Sequence, residues 1–335
     1  MKVGLVGCGA VAQFAHIPAL RALRADGRVT VAAVVDPDAG RRDQTARQLG
    51  ARGCADLGEL RAGEIELAVI ASPARFHAEQ AIQLLKAGCD VFCEKPLAAT
   101  VPDGEAMVAA AREAGRRLGV GLMRRFYPAL EAIREFVVAE TFGALKTFEI
   151  QEGGPFNWPA ATASFFDPKQ AGGGVLLDAG VHVLDVLAWW LGDPAEWHYA
   201  DDAEGGLEAS CRLWLRYPLT REGVTGTVLL SRDWMTTNRW RLEFERAEVT
   251  WRCDDIARFE LRTSGAGRTL AVEVEASQPG GKTSKPQVFT RQMLDCVDAH
   301  VMGRSPRVEG VEALRSLRLI EQCYQARTRL LPEEA

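Results

Sequence analysis

Residues 3–12 read VGLVGCGAVA: an apolar run, two glycines separated by one residue, and then small apolar residues. The apolar run is typical of a buried strand, and from Ala12 to Ala25 the apolar residues recur with helical spacing. Between them, Gly7 permits a tight turn, and the small side chain of Ala12 lets the helix pack closely on the strand. The stretch therefore predicts the strand, turn and helix that open a doubly wound parallel sheet.

Short apolar runs continue to alternate with helical patterns as far as residue 123. This alternation predicts an α/β Rossmann domain over residues 1–123, with helices on both faces of a parallel sheet. Further strands are predicted at 29–36, 65–72, 91–93 and 118–122, and further helices at 39–49, 75–88 and 103–117.

After residue 123 most of the predicted elements are strands that follow one another without an intervening helix. Consecutive strands indicate an open, mostly antiparallel sheet, so residues 124–335 are predicted to form a second α/β domain, whose C-terminal helix could pack back on the first. Its strands are predicted at 146–152, 208–218, 224–234, 239–245, 248–253, 257–263 and 269–276, and its helices at 128–139, 178–191, 287–303 and 309–328.

Composition favours a small-molecule partner. The 335 residues include 40 Lys and Arg against 45 Asp and Glu, and a net charge of −5 gives no long-range attraction for nucleic acid or an anionic membrane. No apolar run approaches the ~20 residues of a membrane span, and residue 2 already begins a strand, so we expect a cytoplasmic protein. The eight cysteines never form CxxC pairs, and no metal site is predicted.

The glycine turn also has the composition of a dinucleotide-binding site. Gly9 would let the backbone approach a pyrophosphate, and Ala10 and Val11 open the helix whose free N–H groups face the phosphates. The second strand ends at Asp36, where a carboxylate accepts hydrogen bonds from a ribose diol and repels a 2′-phosphate. The pattern favours NAD over NADP, although Arg41 and Arg42 could soften that preference. The alternative for Asp36 is a turn former before Pro37.

The sequence VFCEKP at 91–96 ends a predicted parallel strand with charged residues. Ligands bind outside the carboxyl ends of such strands, which favours a functional role for Lys95, whereas spacing alone fits a surface turn equally well. The Lys95–Pro96 bond is a candidate for the cis form, because cis-proline is found in tight turns.

The stretch AGGGVLLDAGVHVLDVLAWWL at 171–191 places Asp178, His182 and Asp185 on one stripe of a very apolar helix. Such groups must be paired or line a polar cavity, and a histidine is suited to proton transfer near neutral pH. Alternatively, Asp178 caps the helix and His182 makes one core hydrogen bond. The glycines at 172–174 would let the backbone approach a ligand, or form a flexible lead-in.

Taken together, these segments resemble the Gfo/Idh/MocA family of sugar and polyol oxidoreductases, named for glucose-fructose oxidoreductase and inositol dehydrogenase. The resemblance covers nearly the whole chain. It rests on GCGAVA at 7–12, VDPD at 35–38, ASPARFHAEQA at 71–81, CEKPLA at 93–98, RRFYP at 124–128 and GGGVLLDAGVHVLD at 172–185.

The resemblance implies roles for the motif residues. Lys95 would hydrogen-bond the reacting hydroxyl, Glu94 and Pro96 would place it, and Glu94 and Lys95 would also contact the cofactor. His182 would be the general base in oxidation, and Asp178 would tune the proton relay or hold substrate. Ser72, Pro73 and His77 of the motif at 71–81 are expected in the cofactor site.

Arg125 and Trp158 are further candidates for substrate contact. Arg125 begins the second domain, and Trp158 offers an aromatic platform to a sugar ring, although core or interface packing explains Trp158 as well. Arg124 is expected to be a surface or salt-bridge residue.

The sequence thus predicts an NAD(H)-dependent enzyme acting on a secondary alcohol or ketone of a sugar, cyclic polyol or sugar derivative. One alternative is a lyase or glycosidase that retains its NAD and uses transient oxidation; another is a non-catalytic dinucleotide sensor. The intact Lys95, Asp178 and His182 argue against the sensor. The resemblance also implies a homodimer or homotetramer formed through the C-terminal sheet.

Overall fold

A computed structural model describes residues 1–157, 166–167, 171–219, 222–253, 255–265, 268–275 and 284–330. The chain divides into two units by packing. The first holds residues 1–123 and 285–317 with the described part of 159–172, and the second holds the described residues of 124–158, 173–284 and 318–335. The longer described helices are α1 (Ile17–Ala25), α2 (Ala39–Leu49), α3 (His77–Lys86), α4 (Val101–Ala114), α5 (Pro128–Val138), α6 (Val181–Leu191), α7 (Lys285–Met302) and α8 (Gly310–Gln325).

The first unit contains a parallel six-stranded sheet. Its strands are β1 (Lys2–Val6), β2 (Thr30–Val35), β3 (Arg52–Cys54), β4 (Leu67–Ile70), β5 (Asp90–Cys93) and β6 (Leu118–Val120). They lie in the order β3-β2-β1-β4-β5-β6, so the chain reverses direction across the sheet between β1 and β4. Such a switch point is where doubly wound sheets bind ligands.

Local sequence explains where the helices of this unit begin and end. The Asp38 carboxylate accepts the backbone N–H of Arg41 at 2.8 Å and caps α2, and the Thr100 hydroxyl accepts that of Asp103 at 3.2 Å and caps α4. Both helices end at glycines with left-handed φ, Gly50 and Gly115. Helix α7 belongs to this unit as well, because its Met293 and Val297 lie in the same buried cluster as residues of α1.

The second unit contains a nine-stranded sheet in the described residues. Its strands are β7 (Leu145–Gly153), β8 (Glu196–Asp201), β9 (Ser210–Tyr217), β10 (Val224–Ser231), β11 (Arg239–Phe244), β12 (Ala247–Arg252), β13 (Arg258–Thr263), β14 (Thr269–Glu273) and β15 (Thr328–Arg329). The order is β14-β13-β12-β11-β7-β10-β9-β8-β15, and the sheet is antiparallel except where β7 pairs with β10 and β8 with β15. The predicted mostly antiparallel sheet is confirmed.

Alternation along the strands gives this sheet two different faces. Gly180, just before α6, lies against Leu230 of β10, so close that a Cβ atom on Gly180 would come within 2.8 Å of the leucine side chain. The neighbouring residue Leu229 points to the opposite face, where cross-strand register aligns His198, Trp214 and Thr227. No helix among the described residues is both long and apolar enough to cross a membrane.

Three strands and two helical turns differ from the elements predicted from sequence. Strands β3 and β15 have only three and two residues, too few for a periodic pattern, and β8 is interrupted by exposed polar side chains. A π-helical turn, Ala12–His16, interrupts the first helix before α1, and a second, Leu176–Gly180, precedes α6. Both π-helical turns lie in segments that the sequence assigns to function, where such turns are often found.

Candidate active site

The first glycine of the GxGxxA turn is required by the fold itself. Gly7 has a φ of +92°, and a Cβ atom there would lie 2.7 Å from the backbone of Ala71 and Ser72, the residues that follow β4. Its N–H donates to the Val35 carbonyl at 2.8 Å. The turn is thus fixed between the ends of β2 and β4, and a side chain at this position is excluded by both φ and space.

The second glycine faces open space instead. A Cβ atom on Gly9 would meet no heavy atom of the described chain within 4 Å, and the helix begins at Ala10 immediately after it. Ala12 is fully buried against the sheet. A backbone without a side chain, open space and a helix N-terminus together fit a pyrophosphate, because the first N–H groups of a helix and its dipole attract anions.

Asp36 lies beside the same turn, at the end of β2. Its Oδ2 accepts the Cys8 N–H at 2.8 Å, and its Oδ1 accepts the Asp38 N–H at 2.8 Å. The Arg41 guanidinium lies 3.7 Å from Oδ1. The carboxylate is therefore held in place by backbone donors, with acceptor capacity remaining for a ribose diol, since each carboxylate oxygen can accept more than one hydrogen bond.

His77 connects the loops that follow β4 and β5. Its Nε2 lies 2.8 Å from the carbonyl of Ser72, and its Nδ1 lies 3.0 Å from the carbonyl of Pro96. Burial lowers the pKa of His77, against the opposing effect of these two carbonyls. A neutral imidazole donates from one ring nitrogen only, so His77 hydrogen-bonds one of these two carbonyls and packs against the other, between the two loops. The Ser72 hydroxyl donates to Gln80 Oε1 at 2.6 Å. Pro73 is exposed at the start of the same segment.

Lys95 follows β5 at the carboxyl edge of the parallel sheet. The Lys95–Pro96 bond, which the sequence left as a candidate for the cis form, is cis. The backbone N–H of Lys95 donates to Glu94 Oε2 at 3.0 Å, and Glu94 Oε1 lies 2.8 Å from Nε2 of the buried His16. Burial acts to raise the pKa of Glu94, but the contacts with His16 and Lys95 outweigh it, and the pKa lies below its ordinary value. Glu94 is therefore a carboxylate near neutral pH.

In the second unit, Asp178 and His182 are the half-buried polar residues of a segment that is otherwise largely buried. Asp178 lies in the π-helical turn, where its N–H donates to the Gly174 carbonyl at 3.0 Å, and His182 lies in the first turn of α6. Partial exposure distinguishes both from a group sealed in the core. Both side chains can therefore contact a ligand, as the hypothesis of proton transfer by His182 requires.

Asp185, on the same stripe, has a different role. Its carboxylate accepts hydrogen bonds from Arg125 Nη2 at 2.6 Å and from Arg125 Nε at 3.0 Å. Both side chains are 1% exposed. The structure thus places the Arg125 guanidinium in a buried ion pair, and its contact with substrate stays a prediction. Arg124 pairs with Glu152 at 2.6 and 2.7 Å, which is the salt bridge expected from the sequence. Trp158 lies outside the described residues.

The glycines before the π-helical turn pack against a buried carboxylate. Glu208 accepts the N–H groups of Gly174 and Leu176 at 3.0 Å and the Tyr324 hydroxyl at 2.7 Å. A Cβ atom on Gly174 would lie 2.1 Å from the Glu208 carbonyl oxygen, and one on Gly173 would lie 2.4 Å from the Tyr324 hydroxyl. These two glycines are therefore needed for close packing. Glu208 anchors the segment, which argues against the flexible lead-in, whereas approach of this backbone to a ligand stays a prediction.

The sequence patterns did not identify two of these residues, His16 and Glu208. His16 could have been noticed as the one histidine among the apolar residues of the first helix, but its partner is 78 positions away. Glu208 carried no local signal, because it precedes a strand and meets the glycines only through the fold.

Two family models match the chain. Residues 1–122 match the model described as an oxidoreductase family with an NAD-binding Rossmann fold, and residues 130–250 match the GFO/IDH/MocA C-terminal domain. Inositol 2-dehydrogenase of Leifsonia xyli is 32% identical over 191 residues, covering 56% of this chain and 54% of that protein. D-Glucoside 3-dehydrogenase of Escherichia coli is 30% identical over 200 residues, covering 58% and 55%. The matched region thus spans about half the length of these relatives.

Solved structures share the fold over almost the whole chain. Levoglucosan dehydrogenase in complex with NADH and levoglucosan is 18% identical with a TM-score of 0.86, covering 97% of this chain and 96% of that one. An NAD-binding oxidoreductase from Klebsiella pneumoniae is 20% identical with a TM-score of 0.86 and the same coverage. With both domain models matched in order, the chain belongs to the Gfo/Idh/MocA family of oxidoreductases, and its N-terminal part is the NAD-binding Rossmann domain of that family.

Proposed function

We propose that the protein is an NAD(H)-dependent oxidoreductase that transfers a hydride between the nicotinamide and a secondary alcohol or ketone of a sugar, cyclic polyol or sugar derivative. One observation carries the proposal: the glycine turn and the Lys95 segment are joined within one unit. Gly7 lies against Ala71 and Ser72, and the buried His77 ring lies within 3.0 Å of both the Ser72 and the Pro96 carbonyl. A dinucleotide bound at the turn and the amine of Lys95 would thus be held by one rigid edge of the sheet.

The names of the relatives support the substrate class. Inositol, a glucoside and levoglucosan appear in the names of proteins that share sequence or fold with this chain. All three are ring compounds that carry several secondary hydroxyl groups. We assign this class to the present chain as a proposal, because the matched region covers about half of the two sequence relatives.

The residues around the glycine turn fit NAD. The N–H groups of Gly9, Ala10 and Val11 would face the pyrophosphate, and the Asp36 carboxylate would accept hydrogen bonds from the adenosine ribose. Ser72 and Pro73 would border the dinucleotide, with His77 and Glu94 acting through the loops that they hold. The negative charge of Asp36 disfavours a 2′-phosphate, and Arg41 at 3.7 Å offsets part of that charge.

Each polar group has a distinct part in the chemistry. Bound NAD supplies the hydride acceptor. His182 takes the hydroxyl proton in oxidation and returns it in reduction, since an imidazole titrates near neutral pH. Lys95 donates a hydrogen bond to the reacting oxygen and stabilises the negative charge that develops there. Asp178 holds a substrate hydroxyl or orients His182.

We also propose that the open face of the nine-stranded sheet joins two copies of the chain. The face carries the half-buried Leu229 and Trp214, and the Trp214 ring lies 5.4 Å from that of His198 between ring centroids. A sheet face that leaves such apolar residues partly exposed among the described residues is typical of an interface. Light scattering on the purified protein should give the mass of a dimer or tetramer, and a monomer would contradict the assignment.

The experiment for the activity is a substrate panel. Purified protein is mixed with NAD and with inositols, free sugars, glycosides and sugar nucleotides, and the absorbance of reduced nicotinamide is followed, with Lys95→Met as the blank. We expect reduction with at least one cyclic polyol or sugar and its loss in the variant. NAD binding without reduction on any substrate would refute the proposed dehydrogenase and favour the cofactor-retaining lyase or the sensor.

A further inference from the structure

His16 is a buried histidine that the proposed chemistry does not use. It ends the π-helical turn that follows the glycine turn, and it is 1% exposed. Its ring packs edge-on against Phe92 of β5 and Phe289 of α7, with centroid distances of 5.6 and 6.3 Å. An apolar side chain would fill such surroundings at a lower desolvation cost, so the imidazole needs a specific explanation.

The polar contact of this ring is with Glu94. His16 Nε2 lies 2.8 Å from Glu94 Oε1, whereas Nδ1 has no hydrogen-bond partner in the described part of the chain. Because Glu94 is a carboxylate and can only accept, the Nε2 atom is the donor. The second carboxylate oxygen accepts the backbone N–H of Lys95 at 3.0 Å.

We infer that His16 is a positioning residue for Lys95, acting through the Glu94 carboxylate that bridges the imidazole and the Lys95 backbone. The inference rests on the proposed function for the role of Lys95 in the reaction. The hydrogen bonds of Glu94 with His16 and with the Lys95 N–H link the helix proposed to bind the pyrophosphate to the segment that carries the reactive amine.

Glu94 is buried, so the loss of its hydrogen bond with His16 would be costly. The residue is 5% exposed, and a Cβ atom on Gly121 would lie 2.9 Å from its carboxylate, so backbone beyond β6 closes one side. Without the His16 donor, a buried carboxylate loses one of its charged-group hydrogen bonds and must turn toward another donor or take up a proton. Either response disturbs the oxygen that holds the Lys95 N–H.

Two variants of similar polarity separate this role from general packing. In His16→Gln the side-chain amide reaches about as far as Nε2 and can still donate to Glu94. In His16→Asn the amide ends near the position of Nδ1 and falls short. Leu23→Ala is the control for stability, because Leu23 is 1% exposed on the adjoining helix α1 and makes apolar contacts.

The kinetic readout is kcat compared with the KM for NAD, on a substrate found in the panel. We expect His16→Asn to lower kcat on the order of 10- to 100-fold, because small misplacements of catalytic groups have effects of this size. His16→Gln should retain most of kcat, and the KM for NAD should change less than about twofold in both. Leu23→Ala should lower the melting temperature with little change in kcat. Equal kcat in the Asn and Gln variants would overturn the inference.

A second readout does not depend on activity. The chain has seven lysines, so ¹³C reductive methylation gives a simple NMR spectrum in which Lys95→Arg identifies the Lys95 signal. We expect this signal to shift or broaden in His16→Asn and to return in His16→Gln, with the other six unchanged. An unmoved Lys95 signal in both variants would overturn the inference. If wild-type protein reduces no NAD but the signal responds as expected, the proposed function fails while the His16 connection stands.

Discussion

The two glycines of the GxGxxA turn have different roles. Gly7 and Gly9 are two positions apart, yet Gly7 is required by its φ of +92° and by backbone 2.7 Å from its missing Cβ, whereas Gly9 faces open space. Only the first glycine is needed by the fold. The second leaves room for the proposed pyrophosphate beside the backbone.

Gly9→Ala therefore tests the cofactor site without disturbing the protein. We expect an unchanged melting temperature and a weakening of NADH binding of about tenfold or more, because the added methyl group occupies space intended for the pyrophosphate; tenfold corresponds to about 1.4 kcal/mol. Fluorescence titration with NADH and thermal unfolding give the two values. Gly206→Ala is the matched control, since a Cβ atom there would also meet no heavy atom of the described chain within 4 Å. Unweakened binding in Gly9→Ala would place the dinucleotide elsewhere.

We propose that Asp36 sets the choice between NAD and NADP. Asp36→Ala removes both the acceptor for the ribose and the charge that repels a 2′-phosphate, while Arg41 remains. We expect the ratio of NAD to NADP affinity, measured by titration with each cofactor, to fall about tenfold or more. A ratio equal to that of the wild type would mean that Asp36 serves only as a turn residue that accepts the Cys8 and Asp38 N–H groups.

At the scale of elements, the segment before α6 depends on close packing around Glu208. This buried carboxylate accepts N–H groups at the beginning of a helical segment, where negative charge is favoured. It also fixes the approach of the chain to Asp178 and His182. The arrangement leaves no space for a side chain at Gly174.

Gly174→Ala should destabilise the protein strongly. The new Cβ atom would lie 2.1 Å from the Glu208 carbonyl oxygen and 2.6 Å from its carboxylate, so backbone must shift, and we expect a loss of roughly 2–4 kcal/mol in the free energy of unfolding. Urea denaturation measures this loss, with Gly206→Ala again as the control. A loss below about 0.5 kcal/mol would show that the segment adapts freely and that Glu208 does not hold it.

Helix α7 is tied to the parallel sheet by a second buried carboxylate. Asp90, at the start of β5, accepts the Arg117 N–H at 2.9 Å, Arg117 Nη1 at 3.0 Å and His300 Nδ1 at 2.8 Å. Burial acts to raise the pKa of Asp90, but these donors outweigh it and the pKa lies below its ordinary value. A carboxyl whose pKa is lower in the folded than in the unfolded state stabilises the fold above the unfolded pKa, and loses that contribution as pH falls through the folded pKa.

Asp90→Asn should therefore be destabilising at neutral pH and matter less in acid. We expect the free energy of unfolding to fall by about 1–3 kcal/mol at pH 7, and the difference from wild type to narrow below about pH 4. Urea denaturation at a series of pH values gives the curve, and Asp43→Asn, at an exposed position on α2, is the control. A difference that stays constant down to pH 3 would argue against a titrating Asp90.

How far the sequence predicts these features depends on how local they are. The central parallel strands are apolar on both faces, so the Rossmann sheet is readable from composition, as are the glycine turn and the stripe of Asp178 and His182. The contacts of Arg125 with Asp185 and of His16 with Glu94 join residues 60 and 78 positions apart. Such pairs depend on packing between elements, which a single sequence does not encode in its local pattern.

At the scale of the whole molecule, both units carry residues that the proposed reaction needs. The first supplies the dinucleotide turn and Lys95, and the second supplies Asp178 and His182. Each set is built on rigid elements: the carboxyl edge of a parallel sheet in one unit, and the start of a buried helix in the other. The central proposal is hydride transfer between the substrate and bound NAD.

Deuterium transfer tests that claim most directly. The protein is mixed with excess NAD and fully C-deuterated inositol or glucoside, and the nicotinamide product is analysed by mass spectrometry after a single turnover and at steady state. We expect reduced cofactor one mass unit heavier than NADH from the wild type, and a rate lower on the order of 10²- to 10⁴-fold from His182→Ala, which should bind NAD normally. Reduced cofactor without deuterium would contradict direct hydride transfer, and undiminished transfer in His182→Ala would contradict the role of His182 as the base.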